Sequence, residues 1–127
     1  MMTSKCLNQK LLAAFPELER PYRDQTEWQE GDDTGSHVVY GDVLVPVILA
    51  LLKAGDRRLL KKYFDFLESL LATGDDYAID VVATTVIESI VLDRVEAEEV
   101  KPLLGEASLK IWEGYEQWRR SRPPSPM

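Results

Sequence analysis

Cysteine and histidine are nearly absent from this chain, whose 127 residues include only Cys6 and His37 of these two types. One thiol cannot form an internal disulfide, and one thiol with one imidazole does not make a metal site. The sequence also lacks the nucleophile elbow, the phosphate loop and the dinucleotide fingerprint. We therefore expect no catalytic residue, no metal ligand and no cofactor, and we interpret the protein as a non-enzyme.

Long hydrophobic runs and an excess of positive charge are absent as well. The longest apolar stretch, Val43 to Leu52, is interrupted by Pro46 and is about half of a membrane span. The first ten residues have no apolar core of a signal peptide. We therefore expect a cytoplasmic protein that does not contact a membrane. The net charge of −7 argues against nucleic acid as the main partner, because phosphates are bound by basic surfaces, and it favours a basic protein partner.

What the chain does contain is a repeated signal for helix ends. Four Gly-Asp pairs occur: Gly31-Asp32, Gly41-Asp42, Gly55-Asp56 and Gly74-Asp75. Glycine reaches the left-handed conformation that closes a helix, and the aspartate accepts hydrogen bonds from the free N–H groups that open the next one. The last two pairs lie between apolar runs with helical spacing, so they predict antiparallel helix hairpins. We also expect Asp42 to be an N-cap, whereas Gly31-Asp32 follows no apolar run and is interpreted as a turn.

Helical periodicity is found along most of the chain. We expect helices that begin at Ser4 and near Pro21, and then helices over residues 38–52, 56–73, 76–92, 96–104 and 108–119. Segment 76–92 is rich in β-branched residues, but its length and helical spacing favour a helix over a strand. The sequence thus predicts one all-α domain over residues 1–120, with six or seven helices in stacked antiparallel pairs, HEAT-like or as an irregular bundle. The Pro- and Ser-rich residues 121–127 are predicted to be disordered.

Two glutamates lie inside apolar helical segments, Glu68 in FDFLESLL and Glu88 in TTVIESIV. Such a carboxylate is either part of a binding site or, in the simpler interpretation, points to solvent or bonds a neighbouring helix end. If the two helices pack as neighbours, the two carboxylates could approach each other or face one surface. Asp65 lies three residues before Glu68 and shares roughly its face of the helix.

Acidic residues concentrate in two segments, residues 17–33 and 75–99, and Trp28 lies inside the first. An acidic surface with an aromatic residue is typical of a protein that binds a basic partner, and an acidic surface alone is typical of a soluble protein. The partner-binding residues that we predict are Trp28, Asp42, Asp65, Glu68 and Glu88.

Residues 38–90 and the closing LLGEASLKIWEGYEQW resemble a family of small, uncharacterised bacterial all-helical proteins. The matching positions are Gly41, Asp42, Phe64, Phe66, Glu68, Leu70, Glu88, Leu104 and Gly105. Some members of that family lie near polymorphic toxin genes, so the resemblance implies an immunity-protein role. The segment GDDYAIDVVATTVIESI is also similar to one HEAT-type repeat, a scaffold for protein binding. Both resemblances imply interaction rather than catalysis.

The expected function is therefore a cytoplasmic protein–protein interaction module of the immunity type, whose acidic face binds and covers a basic partner. One alternative is a small helical enzyme or ligand-binding domain with Glu68 and Glu88 in one pocket, where burial would raise the pKa of a carboxyl group. Another alternative is a structural homodimer that buries Trp112, Tyr115 and Trp118.

Overall fold

The structure is a computed structural model that describes residues 2–93 and 97–121, except for the side chains of residues 97, 98, 120 and 121. Within these ranges all regular structure is helical and no strand occurs, as predicted. In chain order the helices are α1 (Ser4–Ala14), α2 (Glu19–Thr26), α3 (Ser36–Ala54), α4 (Arg57–Ala72), α5 (residues 76–92), the single turn α6 (Ala97–Val100) and α7 (Glu106–Ser121). Short 3-10 turns occur at Pro16–Leu18, Gly31–Asp33 and Lys101–Leu103.

The two Gly-Asp pairs that lie between apolar runs each end one helix and begin the next. Gly55 and Gly74 have φ angles of 75° and 71°, in the left-handed region that side chains with a Cβ atom avoid. Asp56 and Asp75 each accept a hydrogen bond from a backbone N–H in the first turn of the helix that follows. The predicted hairpins α3–α4 and α4–α5 are thereby confirmed.

The Gly41-Asp42 pair does not begin a helix, and the predicted N-cap at Asp42 is wrong. Both residues lie inside α3, which passes through them with a π-helical turn over Tyr40–Leu44. At the end of this turn the N–H of Val45 bonds the carbonyl five residues back. The wide turn lies directly before Pro46, which has no N–H to continue an α-helical ladder. The helix therefore continues through Gly41 and accommodates Pro46 after its π-helical turn, instead of starting after the glycine.

By length and composition alone, α3 is the one described helix that is able to cross a membrane. This is weak evidence, because the core helix of a soluble protein passes the same test. In this fold α3 packs against α1, α2, α4 and α5. Its buried side chains belong to the hydrophobic core: Val39, Tyr40, Val43, Leu44, Val45, Ile48 and Leu52. The cytoplasmic location stays a prediction.

Helix α5 confirms the helical interpretation of the β-branched segment 76–92, but its middle is a second π-helical stretch, Val81–Ile87. The π-segments of α3 and α5 pack on each other. Gly41 allows this approach, since a Cβ atom there would lie 3.2 Å from Cγ2 of Thr85. The glycine that we assigned to a helix start thus serves a contact between two helices.

The C-terminal part contains the largest departures from the predicted boundaries. The predicted helix 96–104 is the single turn α6 followed by the 3-10 turn Lys101–Leu103, and α7 begins at Glu106 rather than at Ser108. Helix α7 packs against both α4 and α5. Residues 122–127 of the predicted disordered tail lie outside the described residues.

The aromatic residues of α7 differ in burial, and this limits the homodimer alternative. Trp112 is 2% exposed and belongs to the protein's own core. Trp118 is 43% exposed, and Tyr115 is half-buried. An interface between two copies is therefore able to use Tyr115 and Trp118, but not Trp112.

Candidate functional site

Glu68 lies at the junction of α4 with the beginning of α7. Its carboxylate accepts hydrogen bonds from the N–H of Ala107 at 3.0 Å and from the N–H of Ser108 at 2.9 Å. It also accepts one from the Ser108 hydroxyl at 2.7 Å. These donors are the free N–H groups of a helix start, where the helix dipole favours negative charge. Glu68 therefore bonds a neighbouring helix end, which is the simpler of the two interpretations that its sequence allowed.

Gly105 explains how a side chain from another helix reaches this position. It occupies the N-cap of α7, where its carbonyl accepts the N–H of Leu109 at 2.9 Å. Since glycine has no side chain to cap the helix, Glu68 supplies the missing acceptor. A Cβ atom at Gly105 would overlap the carboxyl group of Glu68. Two separate parts of the resembling pattern, Glu68 and Leu104-Gly105, thus meet in one contact.

The pKa of Glu68 is lowered, contrary to the expected direction for a buried carboxyl group. Burial is the largest single influence and raises the pKa, but the hydrogen bonds from Ser108 and Ala107 together outweigh it. The charged form is therefore the one that the fold stabilises.

The other predicted site residues lie on different elements. Asp65 is exposed on α4 and forms an ion pair with Lys61 at 2.5 Å. Asp42 is exposed on α3, and Trp28, in the turn after α2, is 72% exposed. Only Glu88 of the five predicted residues lines the groove that α5 forms with α7.

This groove has a volume of about 340 Å³ and is lined by Glu88, Ile111, Gly114, Tyr115 and Trp118. Four of these residues come from one face of α7, and Glu88 faces them from α5. The volume lies at the lower end of the range of about 300–1,000 Å³ that is usual for small-ligand sites. The lining is mainly apolar and aromatic, with one carboxylate. Glu68 caps the start of α7 and is not among the residues that line this groove.

Tyr115 and Glu88 both line the groove, and the carboxylate affects the pKa of the phenol. Burial is the main cause that raises the pKa of the Tyr115 phenol, followed by the negative charges of Glu88 and Asp80 and by a hydrogen bond with Glu88. Since a carboxylate only accepts, the phenol donates this bond. Two acidic groups of α5 therefore act on the same edge of the groove.

Both ends of α7 are fixed, and the groove lies between them. Glu68 caps the N-terminal end, as described above. Near the other end, the Arg119 guanidinium donates a hydrogen bond to the carbonyl of Val91 at 2.7 Å, in the last turn of α5. A cation is favourable at the C-terminal end of a helix. The groove walls are thus held by contacts at the two ends of α7, and the groove between these contacts is open to solvent.

A hydrogen-bonded series of three side chains crosses the α3–α5 seam beside Glu88. His37 contacts the Thr85 hydroxyl through Nδ1 and the Asp80 carboxylate through Nε2, the second at 3.1 Å. Because Asp80 only accepts, Nε2 donates to it, and in a neutral ring Nδ1 then accepts from the Thr85 hydroxyl. The His37 ring also lies 5.9 Å from the Tyr77 ring in an edge-to-face arrangement. Hydroxyl, imidazole and carboxylate are therefore connected in the order found in activated nucleophiles.

No group of three or more His, Cys, Asp or Glu residues within 2–93 and 97–121 is arranged to hold a metal ion. The candidate site among these residues is thus a groove with charged and aromatic walls.

Several residues of this region were not identified as site residues from the sequence. His37 is far from Asp80 and Thr85 in the chain and meets them through the packing of α3 on α5, which no simple sequence pattern specifies. Tyr115 and Trp118 were considered only for an interface between copies. The available signal was Gly114, a glycine in the middle of an otherwise regular amphipathic helix.

The fold and the groove define an all-helical domain with an apolar surface groove, lined by one carboxylate, between its last two long helices. The chain belongs to the DUF7674 family, described as a domain of unknown function, whose profile matches residues 8–119. This match agrees with the resemblance to a family of uncharacterised helical proteins. No curated protein and no solved structure matches the chain.

Proposed function

We propose that this protein is a protein–protein interaction module that binds a basic partner through its acidic face. We define the acidic face as Asp76, Asp80 and Glu88 of α5. The single observation that supports the proposal is the composition of α5: residues 76–92 contain acidic side chains but no lysine or arginine. Asp76 and Asp80 are exposed, and Glu88 is partly exposed at the groove.

Exposed charges of opposite sign lie on two neighbouring helices, α4 and α5, and this arrangement supports directional binding. The exposed cations of α4 lie in its first two turns: Arg57, Arg58, Lys61 and Lys62. The acidic face lies on the next helix of the fold. A field of one sign on one side steers a basic partner into the correct orientation and accelerates association, although it contributes less to affinity than buried contacts do.

The finer proposal is an immunity role, in which the acidic face covers a basic catalytic surface of a toxin. Its support is the family resemblance carried by Glu68, Glu88 and Leu104-Gly105, and the net charge of −7. Masking of an active site needs tight association, and tight association is favoured when little conformational entropy is lost on binding. A packed helical scaffold meets this condition because its backbone is already ordered.

The experiment compares capture of a basic partner by three forms of the tagged protein from its host's lysate. The forms are wild type, the double variant Asp76→Lys/Asp80→Lys, and the control Glu106→Lys/Glu113→Lys, which has the same change in charge on the exposed side of α7. We expect wild type and control to retain one stoichiometric basic protein at low salt, and the α5 variant to lose it. Equal retention by all three proteins, or no partner at low salt, would contradict the proposal.

A second candidate function, a small enzyme, is favoured by the series of Thr85, His37 and Asp80 and not by the Glu68–Glu88 pair. An imidazole that accepts the Thr85 proton would activate the hydroxyl as a nucleophile. The test is covalent labelling with a fluorophosphonate reagent. Labelling of Thr85 that disappears in His37→Gln would support this function, and an unlabelled Thr85 in the wild type would contradict it.

A further inference from the structure

Gly114 is a residue that the packing of this chain does not explain. It lies in the middle of α7, where glycine is less favourable than alanine by about 1 kcal/mol. Its φ angle is not among the positive ones, and a Cβ atom there would meet no heavy atom within 4 Å. Neither backbone conformation nor contact inside the described chain therefore requires glycine. Gly114 lines the groove, and because it has no side chain, the floor of the groove stays open.

The groove walls have a definite chemical character. Ile111 and the rings of Tyr115 and Trp118 offer apolar and aromatic surface, and the Glu88 carboxylate lies at one edge. Aromatic faces attract cations, and a carboxylate pairs with them. A ligand that suits both features has a flexible apolar stem and a cationic end. An anionic ligand is disfavoured, because the charged side chain among the lining residues is the Glu88 carboxylate.

Among cationic side chains, arginine matches this combination better than lysine. Its planar guanidinium stacks on aromatic rings, binds a carboxylate through two parallel hydrogen bonds and is less strongly hydrated than an ammonium group. Its three-carbon stem is able to lie along apolar surface.

We propose that the groove between α5 and α7 binds an arginine side chain of the partner, with its stem over Gly114 and its guanidinium between Trp118 and Glu88. This inference rests on the proposed function, because it assigns the acidic face a specific anchor for a basic partner. Such an anchor is typical of interfaces in which a few residues provide most of the binding free energy.

The test is an NMR titration of the full-length protein with Nα-acetyl-L-argininamide and with Nα-acetyl-L-citrullinamide, which has the same stem length and no charge. We expect the arginine probe to shift the resonances of Gly114, Tyr115 and the Trp118 indole. The citrulline probe should bind at least about tenfold more weakly, since it loses both the cation–π contact and the ion pair. Equal affinity of the two probes would overturn the proposal.

Two variants and one control locate the site. Gly114→Leu should abolish the shifts because the new side chain fills the groove. Position 114 is exposed, so we expect the variant to fold, and an unchanged melting temperature would show that lost binding is not caused by unfolding. Glu88→Gln should weaken the arginine probe about tenfold and leave the citrulline probe unchanged. Glu113→Gln, the same substitution on the exposed side of α7, should change neither. Unaltered binding to Gly114→Leu would exclude this groove.

The chain's own C-terminal residues are a competing source of arginine, since Arg122 follows α7 directly. A chain that ends at Ser121 separates the two sources. We expect the truncated chain to bind the arginine probe with unchanged affinity. If its affinity for the probe rises more than about tenfold, the removed tail had competed for the groove, and the groove would be assigned to the chain's own tail instead of a partner. The titration does not require the partner. If the arginine probe does not bind but the capture experiment succeeds, only the proposed arginine anchor is excluded. Failure of capture with a positive titration would remove only the proposed interaction function.

Discussion

Glu68 and Glu88 have the same local sequence and different roles. Each lies in an apolar helix as apolar–Glu–Ser–apolar, and each faces α7. Glu68 meets the first turn of α7, where two backbone N–H groups and a hydroxyl lack intrahelical acceptors. Glu88 meets the middle of α7, where the backbone bonds are already made and a phenol is the donor. The part of the neighbouring helix that each carboxylate faces therefore determines whether it is structural or available to a ligand.

The largest expected difference is in stability. Glu68→Ala removes the cap of α7 and leaves the Ser108 hydroxyl, which is 1% exposed, without its acceptor. We expect a loss of about 2–3 kcal/mol in the free energy of unfolding. Glu88→Ala should change it by less than about 0.5 kcal/mol, since its carboxylate is at the surface of the groove. Urea denaturation of both variants measures the comparison, and equal losses would show that the two glutamates have similar roles.

The contact between Gly105 and Glu68 is tested by a double-mutant cycle. Gly105→Ala should destabilise the protein by about 1–2 kcal/mol, because the new Cβ atom displaces the capping carboxylate. In the Glu68→Ala background the same substitution should cost clearly less, since no carboxylate remains to be displaced and only the poorer N-cap preference of alanine is left. Additive effects of the two substitutions would contradict the proposed reason for the glycine.

Gly114→Ala is the matched substitution on the groove side of the same helix, and we expect the opposite sign. The variant should be more stable by about 0.5–1 kcal/mol, because a Cβ atom at position 114 meets nothing and alanine is the better helix former. Thermal and urea denaturation check this. A destabilised Gly114→Ala would mean that the fold itself requires this glycine, which would weaken its assignment to ligand binding.

The smallest effect is the pH dependence. Because hydrogen bonds hold the folded pKa of Glu68 below its ordinary value, its stabilising contribution is complete above the unfolded pKa of about 4.3 and is lost as the pH falls through the folded pKa. The stability difference between wild type and Glu68→Gln should therefore shrink on acidification below about pH 4. A difference that instead shrinks as the pH rises would indicate a raised pKa.

Other carboxylates will keep part of the acid sensitivity in the Glu68→Gln variant. The pKa of Asp75 is lowered by the Ala78 N–H, and that of Asp32 is lowered by the Tyr22 hydroxyl. Comparison of wild type with the variant, rather than the wild-type profile alone, isolates the contribution of Glu68.

The predicted helices were right where local chemistry decides the structure. Gly55-Asp56 and Gly74-Asp75 have a left-handed glycine and a capping aspartate within two residues, so the turn needs no help from the rest of the chain. Gly41-Asp42 has the same two residues and lies inside a helix. There the packing of α3 on α5 and the position of Pro46 outweigh the local preference.

The candidate site was predicted only in part, for a similar reason. Glu88 was selected because a carboxylate in an apolar helix needs an explanation, and it does line the groove. The sequence has no feature that places Tyr115 or Asp80 beside it. Their proximity depends on the packing angle of α7 and on the wide π-helical turn of α5, which rotates the residues after it relative to an ordinary α-helix.

The sequence alone determined the all-helical character, the two Gly-Asp hairpins and the net negative charge, because helix periodicity, capping and net charge depend on residues that are near one another or on composition. The tertiary structure decided which carboxylate became a helix cap, which glycine lines a groove, and which threonine and aspartate contact His37. These outcomes depend on contacts between residues that are distant in the chain. Their free energies come from the packing of whole helices, which no local pattern of residues specifies.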